Sequence, residues 1–146
     1  MKKSTLAVLL TLIAVFGGLM LNFGASGWGG TNGWNLLVTL CCVILWGFAL
    51  YLATKDKSRK VLMYCFVFWA VAVFLSAAGL YVVSNNFLHN PITVVLAPLQ
   101  VLTYGQFTGI GYFYGNNLPL MHATVLLISA ATAIVSMTLY RRVRRG

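Results

Sequence analysis

The sequence predicts an all-α integral membrane protein with four transmembrane helices, both termini cytoplasmic, and a long outer segment, interfacial or re-entrant, between helices three and four. Three observations predict this fold. The 146 residues are 60% apolar and 8% charged, whereas about 25% of residues in soluble domains are charged. Four uncharged runs each have roughly the 20 residues that a bilayer crossing requires. All ten Lys and Arg residues fall in three short clusters at the ends of those runs.

The chain is predicted to form a single membrane domain, 1–146, whose first span covers residues 4–23. A cleaved signal peptide is the alternative, but its apolar region would have about 7 to 15 residues and this run is longer. Within the span, Ala14 and Gly18 are four residues apart. Such small pairs let another backbone approach a helix closely, so we expect a close contact on this face.

The second predicted span, 34–53, lies between a Gly-rich turn and a basic loop. The turn, 24–35, contains two Trp residues, which are typical of the headgroup level. The loop, 54–60, reads TKDKSRK and holds four basic residues with Asp56, the only acidic residue of the chain. Short loops rich in Lys and Arg remain on the cytoplasmic side, so this loop predicts the orientation of the whole chain. We expect Asp56 to pair with a neighbouring lysine.

The third predicted span, 61–83, is followed by a long uncharged outer segment, 84–117. The apolar run 92–102 contains Pro98, and runs of 10 to 14 residues are more often interfacial or re-entrant than spanning. The stretch 103–117 carries four glycines among Tyr and Phe residues, and glycine weakens helices. Because irregular backbone cannot face lipid, this segment should lie at the interface or be covered by protein.

The fourth predicted span, 118–140, ends in four arginines, and these decide the number of crossings. With both termini and the loop inside, all ten basic residues lie on one side. A fifth crossing by 92–113 would place the terminal arginines outside, against the usual charge bias. The chain has no Asn-x-Ser/Thr glycosylation sequence, which fits a bacterial cytoplasmic membrane.

Several function classes are disfavoured by composition. The basic clusters are explained as orientation signals, so we expect no nucleic-acid binding. One carboxylate cannot provide a paired-carboxylate site or a proton relay within the membrane. Cys42 and Cys65 are predicted at different depths, too far apart for a disulfide, and should act as small apolar side chains.

The candidate binding surface is the Gly- and aromatic-rich part of the outer segment. Its side chains offer hydrogen bonds and apolar faces without charge, which suits a partner membrane protein or a neutral ligand. An aromatic belt at the membrane interface is the alternative interpretation. The residues assigned to this surface are Tyr104, Gln106, Phe107, Tyr112, Phe113, Tyr114 and Asn116.

Two smaller groups of residues are weaker candidates. His89 and His122 both fall on the outer side, and could handle protons or form a bis-histidine haem or metal site, although we predict no cofactor. On the fourth span, Ser129, Thr132 and Ser136 share one face. They either form ordinary interhelical hydrogen bonds or line a polar path.

The leading functional hypothesis is a non-catalytic accessory or interaction subunit whose outer segment binds a partner membrane protein or a neutral ligand. One alternative is an oligomeric transporter, channel or lipid-moving protein for a neutral substrate. Another is a membrane enzyme with a bis-histidine cofactor. The expected partners are the lipid bilayer and either other membrane protein subunits or further copies of the chain.

Overall fold

The described part of the protein is entirely helical. The computed structural model describes residues 2–27, 30–85, 91–115 and 117–145, with backbone only for 23–27 and 91–97. Within these ranges no strand is present. The elements in chain order are α1 (Lys3–Leu12), a π-helical turn (Ile13–Gly17), α2 (Gly18–Gly27), α3 (Gly33–Lys55), α4 (Arg59–Ser84), α5 (Pro91–Tyr104), a 3₁₀ helix (Gly105–Ile110), α6 (Gly111–Tyr114) and α7 (Leu118–Arg145).

Among the described residues, four helical stretches are long and apolar enough to cross a membrane. They confirm the predicted all-α fold with four helices of spanning length. The intervening α5 has only 14 residues, fewer than the roughly 20 required for a crossing. The four stretches are Lys3–Asn22, Gly33–Lys55, Arg59–Ser84 and Leu118–Arg145.

The first stretch continues further than the glycine content suggests. We expected a turn from residue 24, but α2 extends to Gly27. Helix propensity is a weak local preference that tertiary context overrides. The π-helical turn at Ile13–Gly17 lies directly before Gly18, and such turns occur mostly as short interruptions within α-helices.

The start of α3 is fixed by a capping box. Asn32 accepts hydrogen bonds from the backbone N–H groups of Trp34 and Asn35 at 3.0 and 3.2 Å. In return, the Asn35 side chain accepts from the backbone N–H of Asn32 at 3.0 Å. These bonds satisfy donors that a helix N-terminus otherwise leaves unpaired.

The end of α3 is a Schellman motif with a lysine where glycine is usual. The N–H of Ser58 donates to the Ala53 carbonyl at 2.9 Å, and that of Lys57 to the Thr54 carbonyl at 3.1 Å. Lys57 therefore adopts a left-handed backbone with φ of 50°. This conformation costs a residue with a Cβ roughly 1–2 kcal/mol, which glycine avoids.

The basic loop holds the start of the first helix. We expected Asp56 to pair with a lysine, but its carboxylate accepts a hydrogen bond from the backbone N–H of Ser4 at 3.0 Å. On the other side, the Arg59 guanidinium donates to the Arg144 carbonyl at 3.5 Å. Both chain ends and the loop therefore lie together, and we call this part, residues 2–3, 55–60 and 141–145, the basic end.

The helices α4 and α7 form the most extensive helix pair and run antiparallel. Arg59 meets Arg144 at the basic end, while Gly79 meets His122 near the opposite end. The shared face is built from small buried residues, as in many transmembrane helix pairs, where small side chains allow close packing. These residues are Ala72, Ser76 and Gly79 on α4 with Ser129, Ala133 and Ser136 on α7.

The outer surface of the helices is strongly apolar. Large side chains such as Ile44, Phe74, Leu127 and Ile134 point outward on α3, α4 and α7 and are largely exposed. Water-soluble proteins rarely expose so much apolar surface in one region. The surface is therefore suited to contact with lipid tails.

The charge of Asp56 should stabilise the fold in a pH-dependent way. The Ser4 hydroxyl and backbone N–H face the carboxylate and, with Lys3 and Lys2, hold its pKa below the usual value. A depressed pKa means that the stabilisation is complete above the unfolded-state pKa of about 3.9 and is lost as pH falls through the folded pKa. We expect Asp56→Asn to lower the melting temperature slightly near neutral pH and to match the native chain in strong acid.

Thermal unfolding in detergent micelles across this pH range measures the effect. Lys60→Gln is a suitable control, because Lys60 is exposed in the same region and carries no carboxylate. A difference for Asp56→Asn that is unchanged in strong acid would contradict the role of the charge.

Candidate functional site

Residues 105–111, which we call the buried segment, lie inside the helical bundle. All seven are buried, and the 3₁₀ helix packs against α2 and α3 most extensively. This is the glycine-rich part of the predicted outer segment. Its backbone is thus covered by protein, one of the two placements that the sequence predicts.

Polar side chains of α2 and α3 satisfy the backbone of the buried segment. The Asn22 amide donates to the Gly105 carbonyl at 2.9 Å and is itself held by Asn35, whose amide donates to Asn22 Oδ1 at 3.1 Å. The N–H of Gly109 donates to the Thr39 hydroxyl at 3.1 Å. Two side chains, Asn22 and Thr39, thus bond the backbone of the buried segment directly, and Asn35 holds Asn22 in place.

The Gln106 side chain lies inside the bundle and forms its hydrogen bonds there. Its side chain is fully buried, and its Oε1 accepts a hydrogen bond from Trp46 Nε1 at 2.8 Å. Its Nε2 donates to the Thr103 carbonyl at 3.4 Å. The amide therefore joins α3 to the end of α5 and is turned away from the surface.

Phe107 belongs to an aromatic cluster at the centre of the molecule. Its ring lies 5.7 Å from that of Trp69, which in turn lies 4.8 Å from Trp46. Phe68 stacks on Trp46 at 5.0 Å. Centroid separations of 4.5–7 Å are those of favourable aromatic pairs. The cluster joins α3, α4 and the buried segment.

Close packing around the buried segment requires glycine. A Cβ on Gly18 would lie 2.7 Å from Cys42 Sγ and 2.8 Å from Gln106 Cβ, so the close approach predicted at this position occurs. A Cβ on Gly109 would overlap the carbonyl group of Asn35. The segment and its neighbours fit only because both side chains are absent.

The chain emerges from the buried segment as an exposed aromatic turn, which we define as Tyr112, Phe113 and Tyr114. Phe113 is 67% exposed, and the two tyrosines are also exposed. The Tyr114 hydroxyl accepts a hydrogen bond from Thr124 Oγ1 at 3.2 Å, which ties the turn to α7. Gly115, with φ of 54°, ends α6 in the left-handed conformation that glycine adopts readily.

His122 is half-buried and packs against neighbours on α4, α5 and α7. Its ring lies 4.6 Å from that of Tyr104, and its Nδ1 lies 3.0 Å from the Leu118 carbonyl. The ring also packs over Gly79, where a Cβ would overlap it. His89 lies outside the described residues, so the relation between the two histidines stays a prediction.

The cysteines and other possible ligands are dispersed. Cys42 and Cys65 are buried free thiols, and the Cys42 thiol donates to the Ala14 carbonyl at 3.4 Å. Over the described ranges, no group of three or more His, Cys, Asp or Glu side chains is close enough to hold a metal ion.

The three polar residues of α7 occupy different environments. Ser129 and Ser136 are fully buried on the face that meets α4, whereas Thr132 is half-buried and lies on the side towards α3. Thr132 and Ser136 donate to carbonyls one turn earlier, at 2.8 Å each. They therefore do not form one continuous polar surface.

The predicted binding residues divide into two sets. Gln106 and Phe107 are interior residues, Tyr104 is half-buried, and the aromatic turn is exposed. Asn116 lies outside the described residues. A binding role for these residues stays a prediction, and its exposed part is the aromatic turn.

Sequence reasoning missed the side chains that receive the buried segment. They are Asn22, Asn35, Thr39 and Trp46, which lie within or beside apolar runs. Buried amides in an apolar surrounding require partners, so the amides of the first two spans were the available signal. Nothing local, however, identifies a partner about 70 to 83 residues away along the chain.

The comparisons with known proteins give no relative: the chain matches no protein-family model, no curated protein and no solved structure.

The backbone at Gly109 packs closely against α3. Gly109→Ala should lower the stability of the protein by about 1–3 kcal/mol, the usual range for overpacking, because the new methyl group overlaps the Asn35 backbone. Gly47→Ala is the matched control, since a Cβ there has no neighbour within 4 Å. It should be neutral or stabilising, because alanine favours a helix over glycine.

Chemical or thermal unfolding in detergent measures both variants. Equal stability of the two would contradict the close fit of the buried segment against α3.

Proposed function

We propose that this chain is a non-catalytic membrane protein of the cytoplasmic membrane that binds a partner membrane protein through its aromatic turn. The observation that carries the proposal is the contrast within one segment. Residues 105–111 are enclosed and hydrogen-bonded, whereas the three rings that follow directly are exposed. A rigid base beneath exposed aromatic side chains favours binding, because little conformational entropy is lost when such a surface is covered.

In this proposal the basic end faces the cytoplasm and both termini lie there. Support comes from the contacts that unite the two chain ends with the basic loop. All ten Lys and Arg residues belong to that end, and the positive-inside bias then orients the bundle. The aromatic turn, which packs near the start of α3, faces the opposite compartment.

The buried segment would then be re-entrant. Gln106 is hydrogen-bonded to Trp46, which lies about 20 Å along α3 from Gly33. In a hydrocarbon core about 30 Å thick, that position is well below the outer surface. Coverage by α2 and α3 is what makes such a depth compatible with irregular backbone.

A non-catalytic role agrees with the chemistry of the interior. The rings of Trp46, Trp69 and Phe107 pack against one another at the centre of the bundle, and the chain has a single carboxylate. This packing favours a binding role over conduction through one copy. The side chains on which the transport alternative rests are directed to their own helix, because Thr132 and Ser136 hydrogen-bond to carbonyls one turn earlier.

Thiol labelling tests the orientation. In a cysteine-free background, Phe113→Cys should react with a membrane-impermeant maleimide in intact spheroplasts, whereas Lys57→Cys should react only after the membrane is made permeable. Labelling of Lys57→Cys in intact spheroplasts, or of both positions from the same side, would overturn the proposed orientation.

Photocrosslinking tests the partner surface. We expect a benzoyl-phenylalanine at position 113 to give a discrete protein adduct in native membranes. Phe74 is the matched control, because it is 69% exposed on α4 while Phe113 is 67% exposed. A lipid-facing ring at position 74 should give no discrete protein adduct.

The same experiment separates partner binding from an aromatic belt. If positions 113 and 74 give the same pattern, the turn contacts only lipid and the proposed function is wrong. An adduct of twice the mass of the chain would identify the partner as a second copy.

A further inference from the structure

We call the line between α3 and α7, from the middle of both helices to the basic end, the seam. It contains two cavities, an apolar cleft of about 230 Å³ and a basic groove of about 460 Å³. Residues that line the cleft include Val43, Gly47 and Leu50 on α3 and Ile128, Thr132 and Val135 on α7. Residues that line the groove are Tyr51, Thr54, Lys55, Lys57, Arg142 and Val143.

The two cavities follow the same faces of both helices. On α3, Leu50 of the cleft and Thr54 of the groove are one turn apart, and on α7, Val135 and Arg142 are two turns apart. From Val43 to Lys55 the distance along α3 is about 18 Å. This is slightly more than half of a hydrocarbon core about 30 Å thick, so the seam covers the depth of one leaflet.

The cleft suits an apolar chain that arrives from the bilayer. It lies at the middle of two spanning helices, and its floor is formed by the rings of Trp69 and Phe107. At Gly47 a Cβ would have no neighbour within 4 Å, so the wall is open there. A cleft at this depth is accessible to a molecule dissolved in the membrane.

The groove suits an anion. Lys55, Lys57 and Arg142 line it, and the only carboxylate of the chain, Asp56, is directed to Ser4 on the α1 side. Lys55 Nζ lies 6.0 Å from the centre of the Tyr51 ring, which keeps this cation near the end of the apolar wall. Basic pockets between transmembrane helices are typical sites for anionic lipid headgroups.

The backbone conformation of Lys57 independently indicates a binding role for this residue. Its backbone has the left-handed conformation, with φ of 50°, at the position where a helix end usually carries glycine. A lysine at this position is unfavourable for the backbone, yet it places a third cation at the groove. Strained residues of this kind often have a binding role.

We propose that the seam binds one anionic phospholipid. Its phosphate lies among Lys55, Lys57 and Arg142, and one acyl chain occupies the cleft beside Gly47. The positive charge of the groove favours an anionic headgroup. The length and the apolar walls of the seam favour a lipid over a soluble anion. This site is distinct from the aromatic turn at the other end of the bundle.

Native mass spectrometry and thermal unfolding of the full chain in detergent test the headgroup. Phosphatidylglycerol should bind at one molecule per chain and raise the melting temperature, whereas phosphatidylcholine with the same acyl chains should do neither. Lys57→Gly with Arg142→Gln should weaken phosphatidylglycerol binding by about 25-fold, because each basic residue near a membrane surface contributes about fivefold.

The matched control removes the same charge outside the groove. Lys60→Gln with Arg144→Gln should leave phosphatidylglycerol binding nearly unchanged. Lys57→Gly relieves an unfavourable backbone conformation, so the groove variant should remain folded, and its melting temperature without lipid verifies this. Equal weakening by both double variants would show a general charge effect and overturn the site.

A second pair of variants tests the acyl chain at constant charge. Gly47→Leu should fill the cleft and weaken phosphatidylglycerol binding, while Gly33→Leu, at the other end of α3 and equally open, should not. No effect of Gly47→Leu would overturn the placement of the chain. Glycerol phosphate should neither stabilise the protein nor compete with the lipid, and competition at equal concentration would reduce the site to a simple anion site.

Discussion

The structure depends on satisfying the backbone of residues 105–111 where water is absent. An unpaired backbone group in hydrocarbon costs several kcal/mol, so an irregular segment can lie inside the bundle only if side chains replace its missing hydrogen bonds. Asn22 and Thr39 do this at Gly105 and Gly109, and Gly18 leaves the space that the segment requires. The first two helical stretches therefore form the binding site for residues 105–111, which follow much later in the chain.

The remainder of the bundle packs around this site. The pair α4 and α7 supplies a second rigid unit with a face of small residues, and Trp69 on α4 meets Phe107 of the buried segment. The aromatic cluster thus connects the two units through large apolar contacts. Both α3 and α7 pack more closely against other elements than against each other. They therefore remain apart along one side, which leaves the seam between them.

This arrangement separates two chemical surfaces. Cations gather at one end because both termini and the basic loop meet there. The aromatic turn occupies a different region, carried on the exit of the buried segment and tied to α7 by Thr124. The proposed partner surface and the proposed lipid seam both owe their positions to the burial of residues 105–111 inside the bundle.

The sequence alone determined the four helices of spanning length and the clustering of charge, because length, hydropathy and charge are properties of each run by itself. It also indicated that residues 103–117 could not form an ordinary span. Only the tertiary structure decided that Gln106 and Phe107 face the interior while Phe113 faces outward, and that Lys57 and Arg142 line one groove. Those outcomes depend on contacts between residues far apart in the chain, which no local pattern of residues encodes.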